Sequence, residues 1–274
     1  MSQEDSKEVL IGKNLVKTYT QRSGRFGFGT KQVKALDDVS VSLKAGSTLA
    51  VVGESGSGKS TLARCLLQLQ PFDGGEVWFQ GTNLATLDKE ALRGMRRHMQ
   101  MVFQDPFASL NPRMKVGEIV GEGLLIHGLG NAAEREEKIL RMLQRVGLTA
   151  DDAKKYPHQF SGGQRQRVGI ARALVLEPKV VVCDEPVSAL DVSIQAQILL
   201  LLKELQQEMG LSYLFITHDL RVVRHIASEV VVMQHGKVVE SGEVGQIYTA
   251  PRQDYTQQLL SAIPGQQKTA RKAA

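Results

Sequence analysis

The chain has 274 residues, 42% hydrophobic and 23% charged, which is ample for a buried core and ordinary for a globular protein. No run approaches the roughly 18 consecutive apolar residues of a membrane span, and the polar, acidic start MSQEDSKEVL does not read as a secretory signal. The net charge of +5 is spread along the chain except at Arg93, Arg96, Arg97 and the tail Lys268, Arg271, Lys272, so no nucleic-acid partner is expected.

Up to about residue 90 the chain reads mostly as strands. Val39-Ser40-Val41-Ser42-Leu43 alternates apolar and polar, Thr48 to Val52 is a short apolar run ending at a glycine, and Glu76 to Phe79 lies between glycines. Gln21 to Thr30, with three glycines, reads as an exposed loop inserted between two strands. From Lys89 to Leu176 the character is helical, with apolar residues at helical spacing over Glu134 to Val146. A buried strand is predicted at Val180 to Cys183, a helix at Ile194 to Met209 and a strand at Tyr213 to Thr217. A helix near Leu220 to Ala227 follows, then strands at Val230 to Met233 and Val238 to Glu240 about a turn at His235-Gly236-Lys237. Cys65 and Cys183 make no metal pattern and no disulfide framework, and are expected to be buried, reduced thiols. Alternating strands and helices imply an α/β fold, a mainly parallel sheet into which the helical middle is inserted.

The chemistry starts at Gly53-Glu54-Ser55-Gly56-Ser57-Gly58-Lys59-Ser60, which fits the phosphate-loop pattern between an apolar strand and a helix from Thr61 to Leu69. Its glycines let backbone N–H groups turn toward phosphate, and the helix N-terminus favours the anion. Lys59 is expected to reach the β and γ phosphates and Ser60 to ligate Mg²⁺. ATP contacts are expected at Gly53, Ser55, Gly56, Ser57, Gly58, Lys59, Ser60 and Thr61. A dinucleotide fingerprint fits less well, because it needs glycine where Thr61 stands. An Asp-Glu pair after a strand is, alone, more often a solvated turn. Beside a phosphate loop, Asp184 reads as a Mg²⁺ partner through water and Glu185 as the general base that polarises the attacking water. No N-K-x-D base-reading motif argues for a GTPase. Ser161-Gly162-Gly163-Gln164, opening a predicted helix, supplies a second anion site. One nucleotide does not need two such sites from one chain, so two chains are expected to meet head to tail.

These motifs, in this order, resemble the ATPase subunits of ABC transporters over nearly the whole chain. The resemblance implies a P-loop NTPase core with a mainly parallel sheet, an antiparallel β edge and an inserted α-helical subdomain. It implies one domain over 1–265: core at 1–90 and 177–249, helical subdomain at 91–176, C-terminal extension at 250–265, and a basic, disordered tail at 266–274. Gln104 matches the glutamine that contacts Mg²⁺ and senses the γ-phosphate, Phe160 to Gln164 the signature motif, and Ser188 to Asp191 the D-loop. His218 matches the switch histidine that holds γ-phosphate, and Tyr19 the aromatic that stacks on adenine.

Phe103-Gln104-Asp105-Pro106 with Ser109 to Arg113, Tyr156-Pro157-His158-Gln159, and the stretch Ala250 to Leu260 resemble the second ATPase of dipeptide and oligopeptide importers. That branch implies a second ATPase subunit, a different one being favoured over a second copy of this chain, two integral membrane permeases, an extracytoplasmic substrate-binding protein, and a peripheral place on the cytoplasmic face of the inner membrane. Asp105 to Pro112 reads as a rigid exposed loop where permeases dock. Without a cysteine beyond Cys183, no iron–sulfur cluster is expected. Nickel, opine or another solute stands as the alternative cargo, and a non-transport ABC ATPase as the more distant one.

Overall fold

The computed structural model describes residues 8–23 and 29–263, so the basic tail at 266–274 lies outside the described residues. In chain order, an antiparallel pair, β1 (Glu8–Ser23) and β2 (Gly29–Lys44), leads to β3 (Thr48–Val52), α1 (Lys59–Leu66), β4 (Gly74–Phe79) and the short β5 (Thr82–Asn83). Then come α2 (Lys89–Arg96), β6 (Met99–Val102), the single turn α3 (Pro106–Ser109), α4 (Val116–Ile126), α5 (Ala132–Arg145) and α6 (Gly162–Leu174). The chain continues through β7 (Val180–Asp184), α7 (Val192–Met209), β8 (Ser212–Thr217) and α8 (Leu220–Ile226). It closes with β9 (Glu229–Gln234), β10 (Lys237–Glu243), α9 (Val244–Thr249) and α10 (Asp254–Ser261).

These elements form two compact units, one from residues 1–85 and 214–274 and one from Thr86–Tyr213. The first holds an antiparallel sheet in the order β2-β1-β4-β5 and the run β10-β9-β3-β8, where β3 and β9 are parallel. All five residues of β3 are buried, so it reads as a continuous apolar run rather than an alternating one. Ala50, Val52, Val230 and Val232 from the sheet meet Leu220, Val223, Ile247 and Leu260 from the helices in one buried cluster. Each such large aliphatic side chain contributes roughly 1.5–3 kcal/mol by leaving water. In the second unit β6 and β7 pair in parallel, and α4 packs on α5 and α6 through Val116, Ile119, Val120 and Leu124. Cys65 and Cys183 are free and buried.

Two expectations change. The stretch read as a loop from Gln21 to Thr30 is strand at both ends, with Gln21, Arg22 and Ser23 paired to Lys31, Thr30 and Gly29; residues 24–28 lie outside the described residues. Ladder pairing extends both strands into the glycine-rich stretch. Residues 99–102, inside the stretch read as helical, form β6. Four residues are too few to display a period of two, and only the pairing with β7 gives Met-Gln-Met-Val its identity.

Candidate active site

The phosphate loop leaves the buried end of β3 and enters α1 at Gly58, which takes φ 107°, ψ −3° and offers no side-chain cap. A Cβ on Gly58 would stand 2.3 Å from the Ala35 carbonyl oxygen, so only glycine lets the loop lie against β2. Lys59 and Ser60 are themselves the first residues of α1, two residues earlier than the sequence suggests. The Lys59 ammonium, 5% exposed, donates to the carbonyls of Gly53 and Glu54, both at 2.8 Å. The loop is braced from outside: Gly236 N–H donates to Ser57 O at 3.0 Å, and Asp37 N–H to Gly236 O at 2.8 Å. His235 and Gly236 hold φ of 49° and 79°, the left-handed pair a two-residue β9–β10 turn requires. The Ser57 hydroxyl is buried with no protein partner, a cost of about 1–3 kcal/mol. Also in the first unit, His218 follows β8 and is exposed, while Asp219 caps α8 and pairs with Arg221. That Arg221 hydrogen bond holds the Asp219 carboxyl below its ordinary value. Tyr19 is half-buried on β1, its hydroxyl accepting from Gln70 Nε2 at 2.5 Å, with Lys17 over the ring at 5.8 Å.

In the second unit Asp184 ends β7 at 5% exposure. Glu185, the next residue, has φ 46°, a left-handed backbone unusual for a residue with a side chain. Its carbonyl accepts from the Ser188 N–H and hydroxyl at 3.2 and 3.1 Å, which pins the turn, and its carboxylate accepts from Gln104 Nε2 at 3.0 Å. Two candidate residues 81 apart in sequence thus share a hydrogen bond. Ser161 caps α6, accepting from Gln164 N–H at 3.4 Å while Gln164 Oε1 accepts from Ser161 N–H at 3.0 Å. A Cβ on Gly163 would stand 2.6 Å from Ile194 Cγ2, and one on Gly162 would touch Leu190, so the signature glycines admit the D-loop and the start of α7. Asp191 caps α7 through Ile194 N–H, and that bond, with the Ser193 hydroxyl, lowers its carboxyl pKa. Ser161 and Gln164 are exposed, whereas Gly163 is buried.

The ABC transporter family profile matches residues 36–188, just over half of the chain. The chain is 54% identical over 256 residues to the dipeptide transport ATP-binding protein DppF of Escherichia coli (strain K12), across 93% of this chain and 76% of that one. The chain belongs to the ABC transporter ATPase family. The oligopeptide transport ATP-binding protein AppF of Bacillus subtilis (strain 168) is 49% identical over 265 residues, across 96% of this chain and 80% of that one. Among solved structures, the ATP-binding cassette MJ0796, dimeric in a post-hydrolysis state with ADP and Pi, is similar with a TM-score of 0.75 at 32% identity, covering 86% of this chain and 98% of that one. As an ABC ATPase, the chain binds and hydrolyses ATP to power a membrane transporter. Among the described residues no helix is long and apolar enough to cross a membrane. Sequence reading missed the bracing of the loop by Ala35 and Gly236, because neither position carries a motif of its own.

Proposed function

We propose that this ABC ATPase drives the import of dipeptides or oligopeptides as one half of an ATPase dimer, paired with a second, different ATPase beneath two permeases. The relatives named for dipeptide and oligopeptide transport support the cargo, and none named here favours nickel, opine or another solute. The observation that carries the hydrolytic reading is the Glu185 carboxylate held by Gln104 at the end of a fully buried strand.

Lys59, the loop amides and the N-terminus of α1 bind the phosphates, with Tyr19 against adenine and His218 on the γ-phosphate. The donors offered by Ser60, Gln104 and Asp184 are all hard oxygens, and among the described residues no group of three or more His, Cys, Asp or Glu forms a metal cage of its own. That set fits Mg²⁺, which these residues would hold and which would supply neutralisation of charge on the phosphates. Glu185 takes the proton of the attacking water, and Gln104 keeps its carboxylate aimed. Exposed Ser161, with Gly162, Gly163 and Gln164, acts on the partner's ATP beside Asp191. Phe103 and Phe107, 40% and 62% exposed, offer the permeases an apolar face. Arg165 stacks 3.8 Å from the Phe107 ring and Arg172 bonds Ser109 O at 2.5 Å, which stiffens that face. The subunit then sits on the cytoplasmic face of the inner membrane without crossing it, and an extracytoplasmic binding protein delivers the peptide.

Removing a general base costs about 10²–10⁴ in rate. Glu185→Gln is therefore expected to retain ATP, stay closed and turn over at that fraction of wild type. Undiminished turnover would overturn the assignment. Lys59→Ala is expected to lose nucleotide binding itself.

A further inference from the structure

One side chain of the C-terminal stretch Ala250 to Leu260 reaches the phosphate loop. The Tyr255 hydroxyl on α10 accepts from Glu54 N–H at 3.1 Å. That N–H belongs to the peptide unit whose carbonyl, on Gly53, accepts from the Lys59 ammonium at 2.8 Å. One peptide group is therefore held at both ends, by a tyrosine from the C-terminal helix and by the phosphate-loop lysine. Hydrogen bonds on the two ends of a peptide polarise each other, so the tyrosine strengthens the grip on the lysine.

The helix that carries Tyr255 is itself anchored. Glu240 on β10 accepts from the backbone N–H groups of Arg252 and Gln253 at 2.8 and 3.1 Å, which ties down the start of α10 in place of an ordinary cap. Burial works against that carboxylate's charge, but the two backbone N–H groups outweigh it and lower its pKa. Leu260 and Ile247 enter the buried cluster of β3 and β9, with Tyr255 packed against it. Tyr248 on α9 donates to Leu220 O.

We propose that Tyr255 is a positioning residue for ATP binding: through the Gly53–Glu54 peptide it sets where the Lys59 ammonium stands. This rests on Lys59 serving the phosphates of ATP.

Tyr255→Phe removes the acceptor and keeps the ring in the core. Binding of a fluorescent ATP analogue to the full chain and the steady-state KM and kcat for ATP provide the readout, beside the melting temperature without nucleotide. The expected result is a Kd and KM for nucleotide raised about three- to tenfold, the effect of one neutral hydrogen bond, with kcat and the nucleotide-free melting temperature held. Tyr248→Phe, which breaks an anchoring bond of the same segment away from the phosphate loop, is expected to leave the Kd for nucleotide within about twofold. Unchanged Kd in Tyr255→Phe, or an equal rise in both variants, overturns the proposal. If Lys59→Ala binds nucleotide as wild type does, the reading of Lys59 fails instead.

Discussion

At the scale of single residues, burial and hydrogen bonding set the chemistry. Burial raises the Cys65 thiol to about 11, and it raises Cys183 as well. Neither thiol is ionised near neutral pH, so neither is expected to react with a maleimide at pH 8 in the native state, as judged by intact mass. Labelling of either without denaturant would contradict their burial. Lys59 and Glu185 were legible in the sequence because each sits in a motif whose spacing is local. The Gln104–Glu185 bond spans 81 residues and the Tyr255–Glu54 bond 201, and no local pattern encodes a pairing over such distances. The left-handed backbone at Glu185 was equally hidden, since no glycine marks it.

Among the elements, long helices were easier to read than short strands, though not where they start. Asn131 caps α5, accepting from Glu134 N–H at 3.1 Å while Glu134 returns a bond to Asn131 N–H at 2.7 Å. Asn131→Ala is expected to cost about 1 kcal/mol in chemical denaturation, the usual value of such a cap; no change would mean that α5 is held by packing alone. β6 escaped detection because four residues flanked by helical sequence display no period, whereas β3 and β7 announce themselves as unbroken apolar runs. Between α2 and the end of α4, burial lowers the pKa of His98 and His127, and the Arg97 charge adds to it at both. Both imidazoles are thus held neutral more strongly in the folded chain than in the unfolded chain, whose value is near 6.5. As pH falls through that value the unfolded state binds more protons, so stability present at neutral pH is lost on acidification. The melting temperature is expected to fall between pH 7.5 and 5.5, and to fall less in the double variant His98→Gln, His127→Gln. An equal fall in both proteins would remove the histidines from the account.

For the whole molecule, the division of labour between the two units follows the motifs. The first unit carries the phosphate loop, His218 and Tyr19, and the second carries Gln104, Asp184, Glu185 and the signature at Ser161. The α/β class and the order of the motifs were readable from alternation of apolar runs and glycine loops. The cargo was legible only through resemblance, because no residue of an ATPase subunit need touch it, and the relatives' names support that part of the reading. The most direct test of the central claim is uptake of a labelled dipeptide or oligopeptide by cells lacking this chain. The account predicts that uptake is lost, and that the wild-type chain restores it while Lys59→Ala and Glu185→Gln do not. Full uptake without the chain, or full rescue by Glu185→Gln, would contradict it.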